Sequence, residues 1–247
     1  MSPTPDGAAP LRGRRVVTTR DTPGRLDDLL VAAGATVVHV PLIEITAPPD
    51  DGVGLIAGLA RLADASWLVV TSQHGAAAVG AAARVHEVRL ASVGTRTAEV
   101  LTEVTGRPVD LIPDRQTAAD LIAAFPPAEH PGELAVVAVG DLAASTLEDG
   151  LRELGYEVVS AVAYRTQLRS PSPSERTAAL AADAVVFASG SSARAWAAAM
   201  GTATPSVVVA IGPTTAASAA AVGLQVTAVA ADHSLPGVVA TVVEQLG

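Results

Sequence analysis

Four short segments with hydroxyl side chains follow apolar runs, at points where a strand is expected to lead into a helix. The segments are Ser72, Gly94–Thr97, Ser189–Ser192 and Gly212–Thr215. Turns of this kind in a parallel sheet hold free backbone N–H groups and the positive end of a helix dipole, which bind carboxylates or phosphates. Arg20 ends an earlier apolar run in the same way. The sequence therefore predicts an anion-binding site.

The same hydroxyls also have an ordinary structural interpretation. Ser and Thr commonly cap helices and contribute about 1 kcal/mol each to helix stability. A single segment would favour capping alone, but the four segments form two pairs, at offsets of 117 residues (72 to 189) and 118 residues (94 to 212). The pairing favours an anion-binding cleft, and one hydroxyl can serve both roles.

The elements that position these segments are repeated along the chain. Val16–Arg20 is echoed by Val136–Gly140 at an offset of 120 (16 to 136), and Gly34–Val38 by Gly155–Val159 at 121 (34 to 155). A single long offset indicates a duplicated βα unit rather than a solenoid repeat. Two similar halves are expected to form a cleft in which the paired loops face each other.

Hydrophobic patterning predicts an α/β fold, because strands alternate with helices and the strands are continuously apolar. Short Val-rich runs predict strands at 15–19, 36–40, 67–71, 89–93, 109–112, 134–139, 157–163, 184–188, 206–211 and 225–229. Ala- and Leu-rich stretches predict helices at 24–33, 74–84, 96–104, 117–125, 144–154, 191–200, 214–222 and 235–246. Linkers are expected at 47–54, 126–132 and 168–176.

Composition excludes several kinds of chemistry. The chain has no Cys, and all 16 of its basic residues are Arg, so thiolate, Schiff-base and P-loop lysine chemistry are absent. The five His show no metal-binding spacing, and no glycine fingerprint supports a hydride-transfer enzyme. A net charge of −9 argues against nucleic acid. Without a membrane span or signal peptide, we expect a cytoplasmic protein with a disordered lead-in at residues 1–10.

Tyr164 is the most distinctive single side chain. It is one of two Tyr, and it stands beside Arg165 at the end of an apolar run. Its phenol can donate a proton or hydrogen bond to a substrate, although packing at a domain junction is an equal interpretation. His74 follows a strand end, where it belongs either to a surface helix terminus or to the wall of a cleft.

An ordered series of motifs over residues 11–246 resembles the uroporphyrinogen-III synthase family. The series is Val16–Arg20, Gly34, Pro41–Ile45, Val70–Ser72, Val93–Thr97, Ala163–Thr166, Phe187–Ser189 and Ile211–Thr215. The resemblance implies a lyase of tetrapyrrole biosynthesis that closes hydroxymethylbilane, a linear tetrapyrrole with eight carboxylates, with loss of water and inversion of the last pyrrole. It also implies no metal or organic cofactor, a monomer, and transient hand-over of substrate from hydroxymethylbilane synthase.

The resemblance assigns roles to particular residues. Tyr164 matches a cleft tyrosine that assists departure of the hydroxyl. Further residues match cleft positions, four closely (Ser72, Thr97, Ser189, Thr215) and four less closely (Arg20, Thr95, Ser191, Thr214). Arg20, Arg96 and Arg165 are expected to make the cleft locally positive. The chain departs from the family at Asp141, beside an anionic substrate, and at His74, where some members have Arg.

The family's domains are interleaved, so the resemblance also implies a domain map. Residues 1–43 with 168–247 would form one lobe and 44–167 the other. Each lobe would be a parallel sheet between layers of helices, and strand-like connectors at Leu42–Thr46 and Ala163–Gln167 would allow hinge motion. One alternative stays open, a non-catalytic anion- or tetrapyrrole-binding sensor on the same scaffold, which Asp141 and the negative net charge favour.

Overall fold

The computed structural model describes residues 9–63, 66–80 and 87–247. Residues 1–8 of the expected lead-in and the last residues of the helix expected at 74–84 lie outside these ranges. Contacts between Cα atoms divide the chain into two compact units. Unit 1 comprises Met1–Glu44 and Gln167–Gly247, and unit 2 comprises Ile45–Thr166. The chain thus enters unit 1, forms all of unit 2, and returns.

Strands and helices alternate through the described ranges. The strands are β1 (Arg15–Thr18), β2 (Thr36–His39), β3 (Ile43–Thr46), β4 (Trp67–Val70), β5 (Arg89–Ser92), β6 (Leu134–Gly140), β7 (Glu157–Leu168), β8 (Ala184–Phe187), β9 (Val207–Ala210) and β10 (Ala228–Val229). The helices are α1 (Arg25–Ala32), α2 (Val53–Leu59), α3 (Gln73–Val79), α4 (Thr95–Thr105), α5 (Ala118–Ala124), α6 (Thr146–Glu153), α7 (Pro173–Leu180), α8 (Gly190–Met200), α9 (Pro213–Ala221) and α10 (Leu235–Leu246). None of these helices is long and apolar enough to cross a membrane.

Each unit is built on one five-stranded sheet. The strand order is β10-β9-β8-β1-β2 in unit 1 and β3-β7-β6-β4-β5 in unit 2. Parallel pairing joins β1 to β2 and β8, and β6 to β4 and β7. The two boundaries between units fall inside β3 and β7, so a pair of neighbouring strands connects them. The α/β fold with a two-strand connection is confirmed.

Both faces of each sheet are covered by helices. Along β6, Val136 packs into a core with α2, α3 and α4, while its neighbour Val137 packs on the opposite face with α5 and α6. In unit 1, Val17 and Val16 divide in the same way between the α7–α8–α9 face and the α1–α10 face. Successive strand residues point to opposite faces, so a strand buried on both must be continuously apolar. This explains the Val-rich runs.

The repeat corresponds to matching places in the two sheets. The segment β1–α1–β2 echoes β6–α6–β7, β8 echoes β4, and β9 echoes β5, so the order β2-β1-β8-β9 in unit 1 corresponds to β7-β6-β4-β5 in unit 2. Gly34 and Gly155 have φ values of 92° and 94° at the equivalent turns between helix and strand. Glycine adopts this left-handed conformation without the steric cost that a side chain brings.

Several expected elements differ from the structure, and of the strand expected at 225–229 only Ala228–Val229 forms. Residues 109–112 form only an isolated bridge, between Ala91 and Leu111, because the flanking Pro108 and Pro113 have no N–H for a ladder. The expected linker at 47–54 ends in the start of α2, whose two Gly obscure its helical pattern. The expected linker at 168–176 contains the start of α7.

The start of α7 has a capping box that was overlooked. Ser172 accepts the N–H of Glu175, whose carboxylate accepts the N–H of Ser172, with Pro173 in the first helical turn. The strand expected at 157–163 extends to Leu168. The neighbour of β7 on its other side is β3, a strand that hydrophobic patterning did not indicate.

Candidate functional site

The carboxyl edge of the unit 2 sheet brings several of the predicted residues into one row. Strand order β7-β6-β4-β5 places Tyr164 beside the end of β6, Ser72 beyond β4, and Thr95 beyond β5. Neighbouring strands lie about 4.8 Å apart, so the row extends over a distance that a multi-ring substrate can cover. We call this row the unit 2 edge.

Tyr164 lies half-buried on the unit 2 edge, against a residue without a side chain. A Cβ atom added at Gly140 would lie 2.7 Å from both Cζ and Oη of Tyr164, so the ring occupies the space that a side chain would fill. On α3, the ring of His74 lies 5.4 Å from that of Tyr164, centroid to centroid, at an angle of 58°. The phenol is therefore held between β6 and the start of α3.

Asp141 is directed at the strand that carries Tyr164. Its Oδ1 accepts the backbone N–H of Thr166 at 2.9 Å, and its own N–H donates to the carbonyl of Tyr164 at 3.1 Å. The second oxygen, Oδ2, lies 3.8 Å from Nε of Arg165, whose side chain is 47% exposed. Such an exposed ion pair contributes little stability, but it offsets the carboxylate's charge locally.

The start of α4 presents an exposed turn followed by a buried threonine. The N–H of Thr95 donates to Oε1 of Gln116 at 3.3 Å, and Arg96 pairs with Glu99 at 2.9 Å. Thr97 is only 6% exposed. The N-cap, Gly94, provides no side-chain hydrogen bond, so the exposed donors of this turn are Thr95, Arg96 and backbone N–H groups.

Ser72 is an N-cap in the ordinary sense. Its Oγ accepts the N–H of Gly75 at 3.0 Å and so begins α3. The hydroxyl is only partly buried, and its own proton remains a potential donor. Both interpretations of this serine therefore fit its geometry.

The carboxyl edge of unit 1 has a similar row. The order β9-β8-β1 places Thr214, Ser189 and Arg20 after adjacent strands. Arg20 is exposed, and its carbonyl oxygen lies 2.9 Å from Nε2 of His39. We call this row the unit 1 edge.

Hydroxyl groups are most concentrated at the start of α8. Ser189 accepts the N–H of Ser192 at 3.2 Å and lies 2.9 Å, oxygen to oxygen, from the hydroxyl of Ser191. The Ser192 hydroxyl donates back to the carbonyl of Ser189 at 2.6 Å. Ser189 and Ser191 are exposed, so this network both caps the helix and offers hydroxyls to solvent.

The start of α9 has the same plan as that of α4. Gly212 is an N-cap without a side-chain bond, Thr214 is exposed, and Thr215 is 6% exposed, like its counterpart Thr97. Pro213 has no N–H, which a first helical turn does not need. The buried threonines contribute to packing, while the exposed ones face solvent.

The two edges therefore offer one kind of chemistry in common. Each presents helix N-termini, hydroxyls and at least one Arg, which together bind carboxylates. Unit 2 adds the phenol of Tyr164. Within the ranges that the structure describes, no group of three or more His, Asp or Glu is placed to hold a metal ion.

Two contributors were missed by sequence reasoning. Gln116 reaches Thr95 from a loop 21 residues away in sequence, and no local pattern marks it. Gly140 entered only as the last residue of the repeat segment Val136–Gly140, although a glycine ending a buried strand is a recognisable sign of close approach.

Fold and edges together define a two-unit α/β protein in which each sheet presents helix N-termini, hydroxyls and an Arg at its carboxyl edge. Residues 24–240 match the family model described as uroporphyrinogen-III synthase HemD, and the chain belongs to that family. A curated relative from Synechococcus elongatus, named uroporphyrinogen-III synthase, is 30% identical over 181 residues, which cover 69% of this chain and 67% of the relative.

Solved structures share the fold. A uroporphyrinogen-III synthetase from Helicobacter pylori has a TM-score of 0.65 at 16% identity, covering 94% of this chain and 99% of that one. A mutant uroporphyrinogen III synthase from Thermus thermophilus has a TM-score of 0.56 at 18% identity, covering 95% and 98%. These identities are low, so the likeness concerns the fold alone.

Proposed function

We propose that the protein is a uroporphyrinogen-III synthase, a cyclising lyase that converts hydroxymethylbilane to uroporphyrinogen III with loss of water and inversion of the last pyrrole. The family match over residues 24–240 carries the proposal. The chemistry of both edges agrees with it, because a substrate with eight carboxylates needs many hydrogen-bond donors.

Binding is proposed to use both edges. On the unit 1 edge the carboxylate ligands would be Arg20, Ser189, Ser191 and Thr214. On the unit 2 edge they would be Ser72, Thr95, Arg96 and Arg165, while the buried Thr97 and Thr215 would shape the turns that present backbone N–H groups. A protein of net charge −9 can still bind an anion locally. Salt screens the repulsion from distant negative charges, whereas hydrogen-bond donors in direct contact with the carboxylates are screened much less.

The chemical step is proposed to need little beyond Tyr164. Its phenol would donate to the departing hydroxyl, which leaves as water as the C–O bond breaks. The last pyrrole attacks the resulting azafulvene cation through the α carbon that already carries its bridge to the third pyrrole, which gives a spiro intermediate. The old bridge bond then breaks and reforms at the free α carbon of the last pyrrole, and loss of the proton from that carbon restores aromaticity. Since the bilane also closes spontaneously to isomer I, the enzyme's main task would be to control geometry.

A coupled assay tests the function. Hydroxymethylbilane is generated by its synthase in the presence of this protein, and the uroporphyrinogen isomers are separated chromatographically. We expect isomer III, formed faster than spontaneous closure. Formation of isomer I alone, at the spontaneous rate, would refute the synthase activity.

The alternative of a non-catalytic tetrapyrrole sensor loses one of its two sequence supports, Asp141, and keeps the other, the negative net charge. Oδ1 of Asp141 accepts the N–H of Thr166 and Oδ2 lies 3.8 Å from Nε of Arg165, so the carboxylate interacts with its own chain. A sensor would bind the bilane or its product without changing the isomer ratio. The same coupled assay therefore separates the two functions.

We also propose a monomer located in the cytoplasm that receives its substrate from hydroxymethylbilane synthase. Light scattering coupled to size-exclusion chromatography tests the first part, since a monomer has a mass of 24.7 kDa. A mass twice as large would contradict it.

A further inference from the structure

The ladder between β6 and β7 changes register just before Tyr164. Val139 pairs with Val162, but the next residue, Gly140, pairs with Tyr164, so Ala163 is the extra residue of a bulge. Bulges interrupt the ladder and re-aim the side chains that follow. The orientation of the phenol therefore depends on whatever holds β7 beyond this point.

Asp141 holds it. Regular pairing with β6 ends at Gly140, and beyond it the side-chain bond from Asp141 to the N–H of Thr166 and the backbone bond to the carbonyl of Tyr164 take over. These two hydrogen bonds fix the backbone of β7 at Tyr164 and at Thr166, the residues on either side of Arg165. Because Gly140 has no side chain, the hydroxyl end of the Tyr164 ring lies in the space that a Cβ would fill.

We infer that Asp141 is a positioning residue for the reaction: it sets the place of the Tyr164 phenol through the backbone of β7. The inference rests on the proposed function and on Tyr164 acting in it. It also gives a reason for an acidic residue at an edge that binds carboxylates. The carboxylate is turned toward its own protein, and Arg165 is the nearby cation.

A second aspartate supplies a matched control. Oδ2 of Asp183 accepts the N–H of Arg15 at 2.7 Å, and its Oδ1 lies 3.9 Å from Nη1 of Arg14. This geometry repeats that of Asp141, with one strand N–H and one nearby Arg. Asp183, however, precedes β8 and meets the first residue of β1, so it braces the amino edge of the unit 1 sheet.

The experiment compares Asp141→Ala, Asp141→Asn and Asp183→Ala in the coupled assay, with melting temperatures measured in parallel. Each alanine variant leaves one strand N–H unpaired, and both are expected to lower Tm by about 2–4 °C. Only Asp141→Ala should lower kcat, on the order of 10- to 100-fold, because small misplacements of a reacting group have effects of this size. Its KM should change less than kcat.

Asparagine keeps the oxygen that accepts the Thr166 N–H, so Asp141→Asn should recover most of the lost kcat. In a Tyr164→Phe background, adding Asp141→Ala should cause a much smaller further loss, since both changes act on the same phenol. Should Asp141→Ala fail to fold, Asp141→Glu is the substitute, because it keeps the charge beside Arg165 but moves the oxygen that accepts the Thr166 N–H, and it should show the same loss of kcat.

The outcomes separate this inference from the proposed function. Wild-type protein that yields only isomer I would overturn the function, and the inference with it. Active wild-type protein with an unchanged kcat in Asp141→Ala overturns the inference alone. So does a kcat loss in Asp183→Ala equal to that in Asp141→Ala, or full additivity with Tyr164→Phe.

Discussion

The two units share a strand order, yet their carboxyl edges carry different chemistry. At the offset of 120, Arg20 of unit 1 corresponds to Gly140 of unit 2 (20 to 140). Arg20 projects a cation into solvent, whereas Gly140 leaves a space that the ring of Tyr164 fills. Duplication thus supplied both edges with capped helix N-termini and hydroxyls, and divergence at single positions gave a phenol to one edge only.

The two aspartates that accept a strand N–H also differ between the units in what they can do. Asp183 in unit 1 and Asp141 in unit 2 each accept one strand N–H and approach one Arg, but at opposite edges of their sheets. At an amino edge such a brace serves the fold. At a carboxyl edge, where helix N-termini gather, it can also serve the site.

The largest effect is expected on the free energy of unfolding, when the hydrophobic core of one unit is disrupted. Trp196 of unit 1 is fully buried, and its Nε1 donates to the carbonyl of Ala203 at 2.9 Å. Trp196→Ala should lower the free energy of unfolding by about 3–5 kcal/mol. Urea denaturation followed by far-UV circular dichroism measures the loss.

Trp67 then reports on unit 2 alone, because the chain has only two Trp. Each unit has its own cores, so the loss of packing in unit 1 should not change the stability of unit 2. The midpoint of the Trp67 fluorescence transition in Trp196→Ala should therefore equal the midpoint in a Trp196→Phe control. If Trp196→Ala instead lowered the midpoints of the circular dichroism transition and of the Trp67 fluorescence transition together, the two units would unfold as one.

The two tyrosines of unit 2 give the next comparison. Tyr164 is half-buried at the edge, whereas Tyr156 is 4% exposed and donates to the carbonyl of Pro126 at 3.0 Å. Burial raises the pKa of Tyr156, which keeps that phenol neutral. Tyr164→Phe should lower kcat on the order of 10- to 100-fold by removing a proton donor.

Tyr156→Phe is the matched control. It should leave kcat unchanged and lower stability by about 1 kcal/mol through loss of one hydrogen bond. Steady-state kinetics and thermal unfolding of both variants test the pair. Equal turnover in Tyr164→Phe and wild type would reduce Tyr164 to a packing residue.

The paired serine caps distinguish capping from ligand binding with a smaller effect. Glycine is nearly as good an N-cap as serine, so Ser72→Gly and Ser189→Gly should lower stability by only a few tenths of a kcal/mol. Loss of a hydroxyl that holds a carboxylate should raise KM about fivefold in each variant.

Ser172→Gly serves as the control for these variants, because Ser172 caps α7 through the N–H of Glu175 and is not among the proposed carboxylate ligands. Its KM should equal that of the wild type. An increase in KM for Ser189→Gly but not for Ser72→Gly would confine carboxylate binding to unit 1.

The smallest effect is a pH dependence. The pKa of Glu175 in unit 1 is lowered from 4.5 to about 2, first by the N–H of Ser172 and then by hydrogen bonds from Arg169. A lowered pKa stabilises the fold above pH 4.5, and this contribution is lost as pH falls toward about 2. Glu175→Gln should therefore flatten the decline in unfolding free energy over this window.

Asp120 provides the counterpart in unit 2. Hydrogen bonds from Thr117 and then Arg115 lower its pKa below 3.8, so Asp120→Asn should flatten the decline only below that pH. Urea titrations at a series of acidic pH values compare the two variants. Identical curves for wild type and Glu175→Gln would contradict the assignment.

Elements that depend on local sequence were predicted well, and elements that depend on contacts between distant residues were not. The strands β4, β6 and β8 were predicted within a residue or two, because burial on both faces requires an unbroken apolar run. The strand β3 has no such run and pairs with β7 far along the chain. Its place was indicated only by the strand-like connector that the family resemblance implies at Leu42–Thr46.

The candidate site divided in the same way. Sequence alone determined that hydroxyls and an Arg stand where strands end, because βα turns place the residues after a strand at the carboxyl edge of a parallel sheet. Tyr164 was expected at a strand end as well, but it lies inside β7, beside the end of β6. Tertiary structure alone decided that Thr97 and Thr215 are buried, that His74 meets Tyr164, and that Asp141 braces Thr166. Those contacts join residues distant in sequence, and no local pattern encodes a distance that only strand pairing creates.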